Sequence, residues 1–368
     1  MLIIAALTSV TGIAAVWILY PAVVGVLAHF FRRDPSSAPY EPFVSVIIAT
    51  RDDPDTVRAR VTNCLAGDYD PARLEVIVAV DSYASHRTEV ERAVHAPAVR
   101  VVSTGRPSGK AMALNAAVAI SRGTVLVFTD TYQRFPADTI RRLVAPLADP
   151  RHAAVSGMLD LPRTASEGGM IGAYWRYERW LRCCEARLHS AVGVTGSVSA
   201  MRRSLWIPLP AGLLLDDVYT PMRLVIAGYR VAFNPKALAF ETRPVAPGQE
   251  YRRKVRTLTG VFQLCAWLPN VLVPLRNPIW AQFLFHKLFR LLTPYWLLVV
   301  LAWMATIAFN VASANLFLAL TAVLIVVMFA RDVATRVLRS AQEVALLQAA
   351  TVVATANGLR GRWNVWQQ

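Results

Sequence analysis

Apolar and polar positions divide the chain into three textures. From Leu2 to Phe31 no residue carries a formal charge unless His29 is protonated. About 20 apolar residues suffice to cross a bilayer, so this stretch predicts a spanning helix, kinked or restarted near Pro21. From Ser36 to about Gly260 the pattern changes to short β-branched runs separated by helical ones. Residues 44–50, 74–80, 99–103 and 124–129 read as strands, and 56–66, 86–95 and 110–120 as helices between them. Strands alternating with helices predict a parallel sheet covered on both faces, with ligands gathered beyond the carboxyl ends of its strands.

After residue 260 the chain turns apolar again. Residues 264–275 and 279–292 are rich in aromatics and include Trp267, Trp280, Lys287 and Arg290, which predicts helices lying in the membrane interface. Residues 295–311 and 316–330 predict a transmembrane hairpin turning at 312–315. Residues 341–356 contain Gln342, Glu343 and Gln348 and read as an interfacial or re-entrant segment. The expected organisation is an anchor at 1–33, a catalytic domain at 36–262, and interfacial helices with a hairpin at 263–368.

Charge placement orients this arrangement. Arg32 and Arg33 follow the first apolar run and nothing basic precedes it, the reverse of a cleaved signal peptide. The positive-inside rule then puts residue 32 onward in the cytoplasm, and Arg331, Arg336 and Arg339 return to the same side. The expected location is the plasma membrane, of the bacterial inner-membrane type, with the catalytic domain cytoplasmic. Over 368 residues the hydrophobic fraction is 55%, and 39 Lys and Arg against 24 Asp and Glu leave +15. Such an excess suits anionic lipid or a small anionic substrate. No nucleic-acid module accompanies it, so no nucleic-acid partner is expected. Cys64, Cys183, Cys184 and Cys265 have no paired spacing, which argues against a disulfide framework or a structural zinc site.

Candidate chemistry falls where the sheet rule puts it, because Asp52, Asp81 and Asp130 each follow a predicted strand. One such aspartate serves equally well as a turn or capping residue, whereas several at comparable positions point to a shared site. Hard divalent cations take carboxylate and diphosphate oxygens together, so Asp130 is a sensible ligand for Mg or Mn. Gly109 and Lys110 open a helix whose start can hold a phosphate; the alternative is a solvated lysine. Trp175, Tyr177 and Trp180 can stack on a sugar, although their helical spacing favours packing.

The ordered runs SVIIATRDD, VIVAVDS, GKAMALN, VFTDTYQRF, YWRYERWLR, GVTGSVSAMRR, LLDDVYTPMRLVIAGYRV and YRRKVRTLTG resemble the family 2 glycosyltransferases across about residues 40 to 262. The resemblance leans toward the membrane-embedded branch with cellulose and hyaluronan synthases. It implies a GT-A-type Rossmann-like α/β domain and direct, inverting transfer from a nucleotide-diphosphate sugar, UDP-linked in that branch. It also implies Thr50, Asp52 and Asp81 at the nucleoside, Lys110 near the nucleotide and Asp130 on the metal. Asp217 would be the general base, supported by Asp216. Arg253 and Arg256 match the late Gln-x-x-Arg-Trp motif, Arg256 reaching the diphosphate. The implied partners are a carbohydrate or lipid-linked acceptor, membrane lipids, and a further copy of the chain or an export protein.

The chain also departs from that pattern. Asp130-Thr131-Tyr132 stands where the family has Asp-x-Asp, Arg51-Asp52 where it has Asn-Glu, and the late motif lacks Gln and Trp. These changes argue against long-chain polymerisation. They leave open transfer to a polyprenyl phosphate, or a catalytically silent nucleotide- or glycan-binding subunit of a synthase or export complex.

Overall fold

Among the residues that the computed structural model describes, 1–31, 39–160, 170–242, 247–307 and 331–365, the β-branched runs assemble into one mixed sheet. Its strands are β1 (Val44–Thr50), β2 (Leu74–Tyr83), β3 (Val99–Gly105), β4 (Val125–Thr129), β5 (Gln133–Arg134), β6 (His152–Asp160), β7 (Ser199–Arg202) and β8 (Arg230–Glu241). They lie in the order β3-β2-β1-β4-β7-β6-β8-β5. The first four are mutually parallel, as expected, while β7 runs antiparallel between β4 and β6. The chain builds outward from β1 through β2 to β3 and then returns to place β4 on the other side of β1. The β1–β4 boundary is therefore the topological switch point, where a crevice opens beyond the strand ends.

Helices Pro54–Leu65 and Lys110–Ile120 flank these strands. The first starts two residues earlier than the pattern predicted, because Asp53 caps it by accepting the Thr56 amide at 2.9 Å and Pro54 needs no amide partner in the first turn. The second packs on β1, β2 and β3 through small residues including Ala113 and Ala117. On the other face Val44, Val46 and Ile48 join Val57, Val61 and Leu143 in the core.

A polar cluster interrupts the apolar sheet. Glu75, 0% exposed, sits opposite Ser45 in the β1–β2 register and accepts from the Ser45 hydroxyl (2.6 Å), the Arg122 amide (2.7 Å) and the Arg122 and Arg100 guanidinium groups. Burial pushes its pKa up, but the Ser45 and Arg122 hydrogen bonds outweigh that and hold it below the ordinary glutamate value. A depressed carboxyl stabilises the fold above its unfolded-state pKa, and that stabilisation is lost as pH falls through the folded-state value. In thermal melts from pH 7 to pH 3, Glu75→Gln should be less stable than wild type at neutral pH, and the gap should close in acid. An unchanged gap across that range would contradict the assignment.

The chain divides into two compact units, Val24–Val245 with Gln263–Phe283, and Met1–Val23 with Ala246–Phe262 and Leu284–Gln368. The sheet belongs to the first. In the second, Trp17 donates to Thr293 at 3.1 Å, Arg290 lies 4.4 Å from the Trp17 ring centroid, and Tyr20 stacks on Phe285 at 5.3 Å. Gly12 admits the Trp296 ring, which would stand 2.9 Å from any Cβ there.

Among the described residues, two helices are long and apolar enough to cross a membrane, Leu2–Phe30 and Trp280–Ile307. Of the kink or restart expected near Pro21, the structure has no restart: the helix is continuous and carries a π turn at Ala15–Leu19, which widens the backbone ahead of a proline that cannot donate. The apolar stretch after residue 260 differs more. Instead of a helix over 264–275, the helix Pro247–Trp267 ends before Pro269, and a short 3₁₀ turn leads to Pro274. The segments expected separately at 279–292 and from 295 are one helix, with π and 3₁₀ turns preceding Pro294. Residues 341–356 lie inside a longer helix, Arg331–Leu359. The remainder of the expected hairpin, 308–330, is outside the described residues.

Candidate active site

Three strand ends at the switch point bring the sequence-predicted aspartates together. Asp81, only 3% exposed, lies near the end of β2, which continues three residues further than predicted. Its Oδ1 accepts the Ser108 amide at 2.6 Å, its Oδ2 accepts the Gly109 amide at 2.9 Å, and Arg51 Nε donates to the same oxygen at 2.8 Å. Asp81 thus anchors the turn that starts the Lys110 helix. Gly109 makes that turn at φ +94°, a conformation L side chains rarely adopt.

Thr50 and Asp52 form a second knot at the end of β1. The Thr50 hydroxyl donates to Asp52 Oδ2 at 3.0 Å and accepts the Asp52 amide at 2.9 Å, while the Thr131 hydroxyl donates to the same Asp52 oxygen. The register pairing Ile48 with Thr129 brings Thr50 level with Thr131, two residues beyond on each strand. Thr131 is therefore a site residue that motif reading passed over, because it stands in the variable middle of the metal motif.

Lys110 reaches from its helix start to Asp130 Oδ1 at 2.8 Å, the two side chains being 35% and 40% exposed. Desolvation lowers the lysine pKa, but the charges of Asp130, then Asp216 and Asp217, outweigh it and hold the ammonium protonated above the ordinary lysine value. One lysine thus lies in the field of three carboxylates contributed by two different parts of the chain.

The acid pair opens the helix Asp216–Ile226, but neither residue is its cap, since Leu215 occupies that position. The backbone leading into it is pinned by Gln263, which accepts the Leu214 amide at 2.8 Å and donates to the Gly212 carbonyl at 2.9 Å. Residues 193–197 form a wall beside Asp217. The Val194 amide donates to the Asp217 carbonyl at 2.8 Å, and a Cβ on Gly196 would stand 3.4 Å from the Asp217 Cβ. Asp216 and Asp217 line a crevice of about 30 Å³ with Phe128, Met201 and Trp206.

Arg253 and Arg256 belong to the other compact unit, one turn apart on the helix Pro247–Trp267. Arg253 is exposed and Arg256 half-buried. Trp175 and Trp180 lie on the helix Met170–Leu188 and are both partly exposed, with Trp180 packed where a Cβ on Gly25 would come within 2.6 Å.

Among the described residues no group of three or more His, Cys, Asp or Glu side chains can hold a metal unaided. Asp130 already carries a cation, the Lys110 ammonium, at 2.8 Å. One carboxylate completed by substrate phosphates and water is coordination that Mg²⁺ accepts. The donor set therefore fits a cation that arrives shared with a diphosphate.

The family model for glycosyltransferase like family 2 matches residues 41–260. No curated protein matches. The mannosyltransferase PcManGT from Pyrobaculum calidifontis, solved in complex with GDP-Man and Mn²⁺, is 23% identical over 96% of this chain and 99% of its own, with a TM-score of 0.72. A mycobacterial protein (20% identical, 61% of this chain and 74% of its own) and GalNAc-T7 with UDP, GalNAc and Mn²⁺ (14%, 61% and 48%) match with TM-scores of 0.41 and 0.45.

Proposed function

Since this chain belongs to glycosyltransferase family 2, with a GT-A-like α/β fold, we propose that it is a membrane-bound inverting transferase of the cytoplasmic face that moves a sugar from a nucleotide-diphosphate donor to a glycan acceptor in polysaccharide biosynthesis. The observation that carries this reading is the convergence of Lys110, Asp130 and the Asp216–Asp217 pair at the switch point. A sugar hydroxyl is a poor nucleophile, and an oriented carboxylate can take its proton as the bond to the anomeric carbon forms. Asp217 is the proposed base and Asp216 its supporting carboxylate. As the new bond forms, the bond from the anomeric carbon to the diphosphate breaks, with inversion, and the nucleoside diphosphate leaves.

Lys110 sits where it can meet the leaving phosphates, and a cation on Asp130 would supply further neutralisation of the charge that develops there. Thr50, Asp52 and Asp81 are the proposed nucleoside residues. Asp81 is already engaged by Arg51 and the Ser108–Gly109 turn, so a base would meet the Arg51–Asp81 pair as a unit. Arg253 and Arg256 are proposed as diphosphate partners on the family pattern, and a uridine diphosphate donor is proposed from the resemblance to the synthase branch.

The decisive measurement screens radiolabelled nucleotide sugars with the full chain in reconstituted vesicles, reading product size and glycosidase sensitivity together. Release of nucleoside diphosphate with a glycosidase-sensitive product is expected. Product extracted only as a polyprenyl-phosphate sugar would move the acceptor assignment to the lipid phosphate. Binding of a synthase subunit without any turnover would replace the enzyme reading with the silent-subunit one. Chelation should reduce transfer at least tenfold, with Mg²⁺ or Mn²⁺ restoring it. Full activity in EDTA would show that Lys110 alone balances Asp130 and the leaving group.

A further inference from the structure

We propose that Arg182 is a positioning residue for Asp217, fixing the Gly193–Ser197 loop beside the acid pair and keeping a positive charge behind the carboxylate. This rests on the reading of Asp217 as the base and adds to it the last residue of the run YWRYERWLR, to which the resemblance assigned no role.

The geometry is that of a pinned wall. Arg182 projects from the helix Met170–Leu188, and both terminal nitrogens donate to Thr195 Oγ1 at 3.2 Å while Nη2 also donates to Ser156 Oγ at 2.9 Å. Thr195 can accept these because its own hydroxyl donates to the Gly157 carbonyl at 3.1 Å, and its amide donates to Ser156 Oγ at 2.9 Å. The guanidinium is seated over the Phe233 ring, 4.9 Å from the centroid. Immediately on either side of Thr195, Val194 holds the Asp217 carbonyl and Gly196 faces the Asp217 side chain. A planar fork gripping one hydroxyl fixes that loop in a way an ammonium cannot reproduce.

The same side chain sets the charge around Asp217. Lys110, from the opposing helix start, interacts by charge with Asp130 at the end of β4 and with Asp216 and Asp217, while Arg182 interacts with Glu178 and Glu185 on its own helix Met170–Leu188 and with Asp217. Burial disfavours the Arg182 charge, and Glu178, Glu185 and Asp217 oppose that effect. Lys110 and Arg182 both attract the Asp217 carboxylate, and a nearby opposite charge favours the ionised form.

The test needs no donor sugar. Carbodiimide labelling of protonated carboxyls in the full chain, followed by mass spectrometry across pH 4 to 8, gives the midpoint at which Asp217 ionises. Arg182→Met should raise that midpoint by about one pH unit, the order expected on losing a nearby opposite charge. Arg182→Lys should leave it near wild type while increasing protease cleavage within residues 193–197, because the charge stays and the fork is lost. An unshifted midpoint in folded Arg182→Met overturns the inference. If that variant does not fold, a midpoint in Arg182→Lys that moves as far as one pH unit overturns it equally. Turnover separates this from the base assignment: active Asp217→Asn removes the base reading, whereas inactive Asp217→Asn with an unshifted Arg182→Met midpoint removes only the positioning role.

Discussion

Replacing Asp217 by Asn is expected to cut sugar transfer by about 10²- to 10⁴-fold, the range that a positioned general base contributes. The amide keeps the shape of the carboxylate and can still occupy the space beside Gly196, but it cannot accept a proton. Donor binding should stay within about threefold of wild type, because Lys110 keeps its Asp130 partner at 2.8 Å whatever stands at position 217, and a bound charge-assisted pair persists without the acid pair. Initial rates with a radiolabelled donor, alongside donor binding to the same preparation, check both halves. Transfer within tenfold of wild type would remove Asp217 from the role of base. Equal losses in transfer and donor binding would instead make the acid pair part of the donor pocket.

The second large effect concerns folding and comes from a residue with no evident chemistry. A Cβ on Gly123 would stand 2.4 Å from the Ser45 amide nitrogen and 2.7 Å from its hydroxyl. Both belong to β1, the strand at the switch point, and neither can move without disturbing the Ser45–Glu75 hydrogen bond and the donation of the Gly123 amide to Ser45 at 2.8 Å. Gly123→Ala should therefore cost about 3 kcal/mol, combining overpacking with damage to a buried hydrogen-bond network. For a unit of this size that corresponds to a fall of about 10 °C in the apparent Tm, readable by differential scanning fluorimetry in detergent. A melting temperature within two degrees of wild type would show that β1 has slack at its amino end. If the shift is found, nucleotide-site variants made in this background should be compared only after correcting for loss of folded protein.

The sequence alone determined the parallel half of the sheet, because β-branched runs such as Val44–Thr50 and Leu74–Tyr83 have only one way to bury both faces. It determined that Asp52, Asp81 and Asp130 would end strands near one another, since parallel strands carry their carboxyl ends to the same edge. It also determined that residues 2–30 form a long apolar helix, which needs only composition and length.

What it left undecided are relations between residues far apart in the chain. Periodicity does not say that β7 runs antiparallel between β4 and β6, or that Trp280–Ile307 continues through the turns ahead of Pro294, because local patterns do not register partners or tolerated irregularities. Periodicity leaves Lys110 open between a phosphate-holding helix start and a solvated lysine, and only the fold brings Asp130 and the acid pair, about 20 and about 100 residues away, to it. Arg182 closes the family-like run YWRYERWLR, but one arginine among several on an amphipathic helix has no spacing that assigns it a role, and only the fold delivers it to Thr195. Motifs carry the chemistry that a single segment can hold. The charge balance at Asp217 is a sum over several segments, and the tertiary structure decided it.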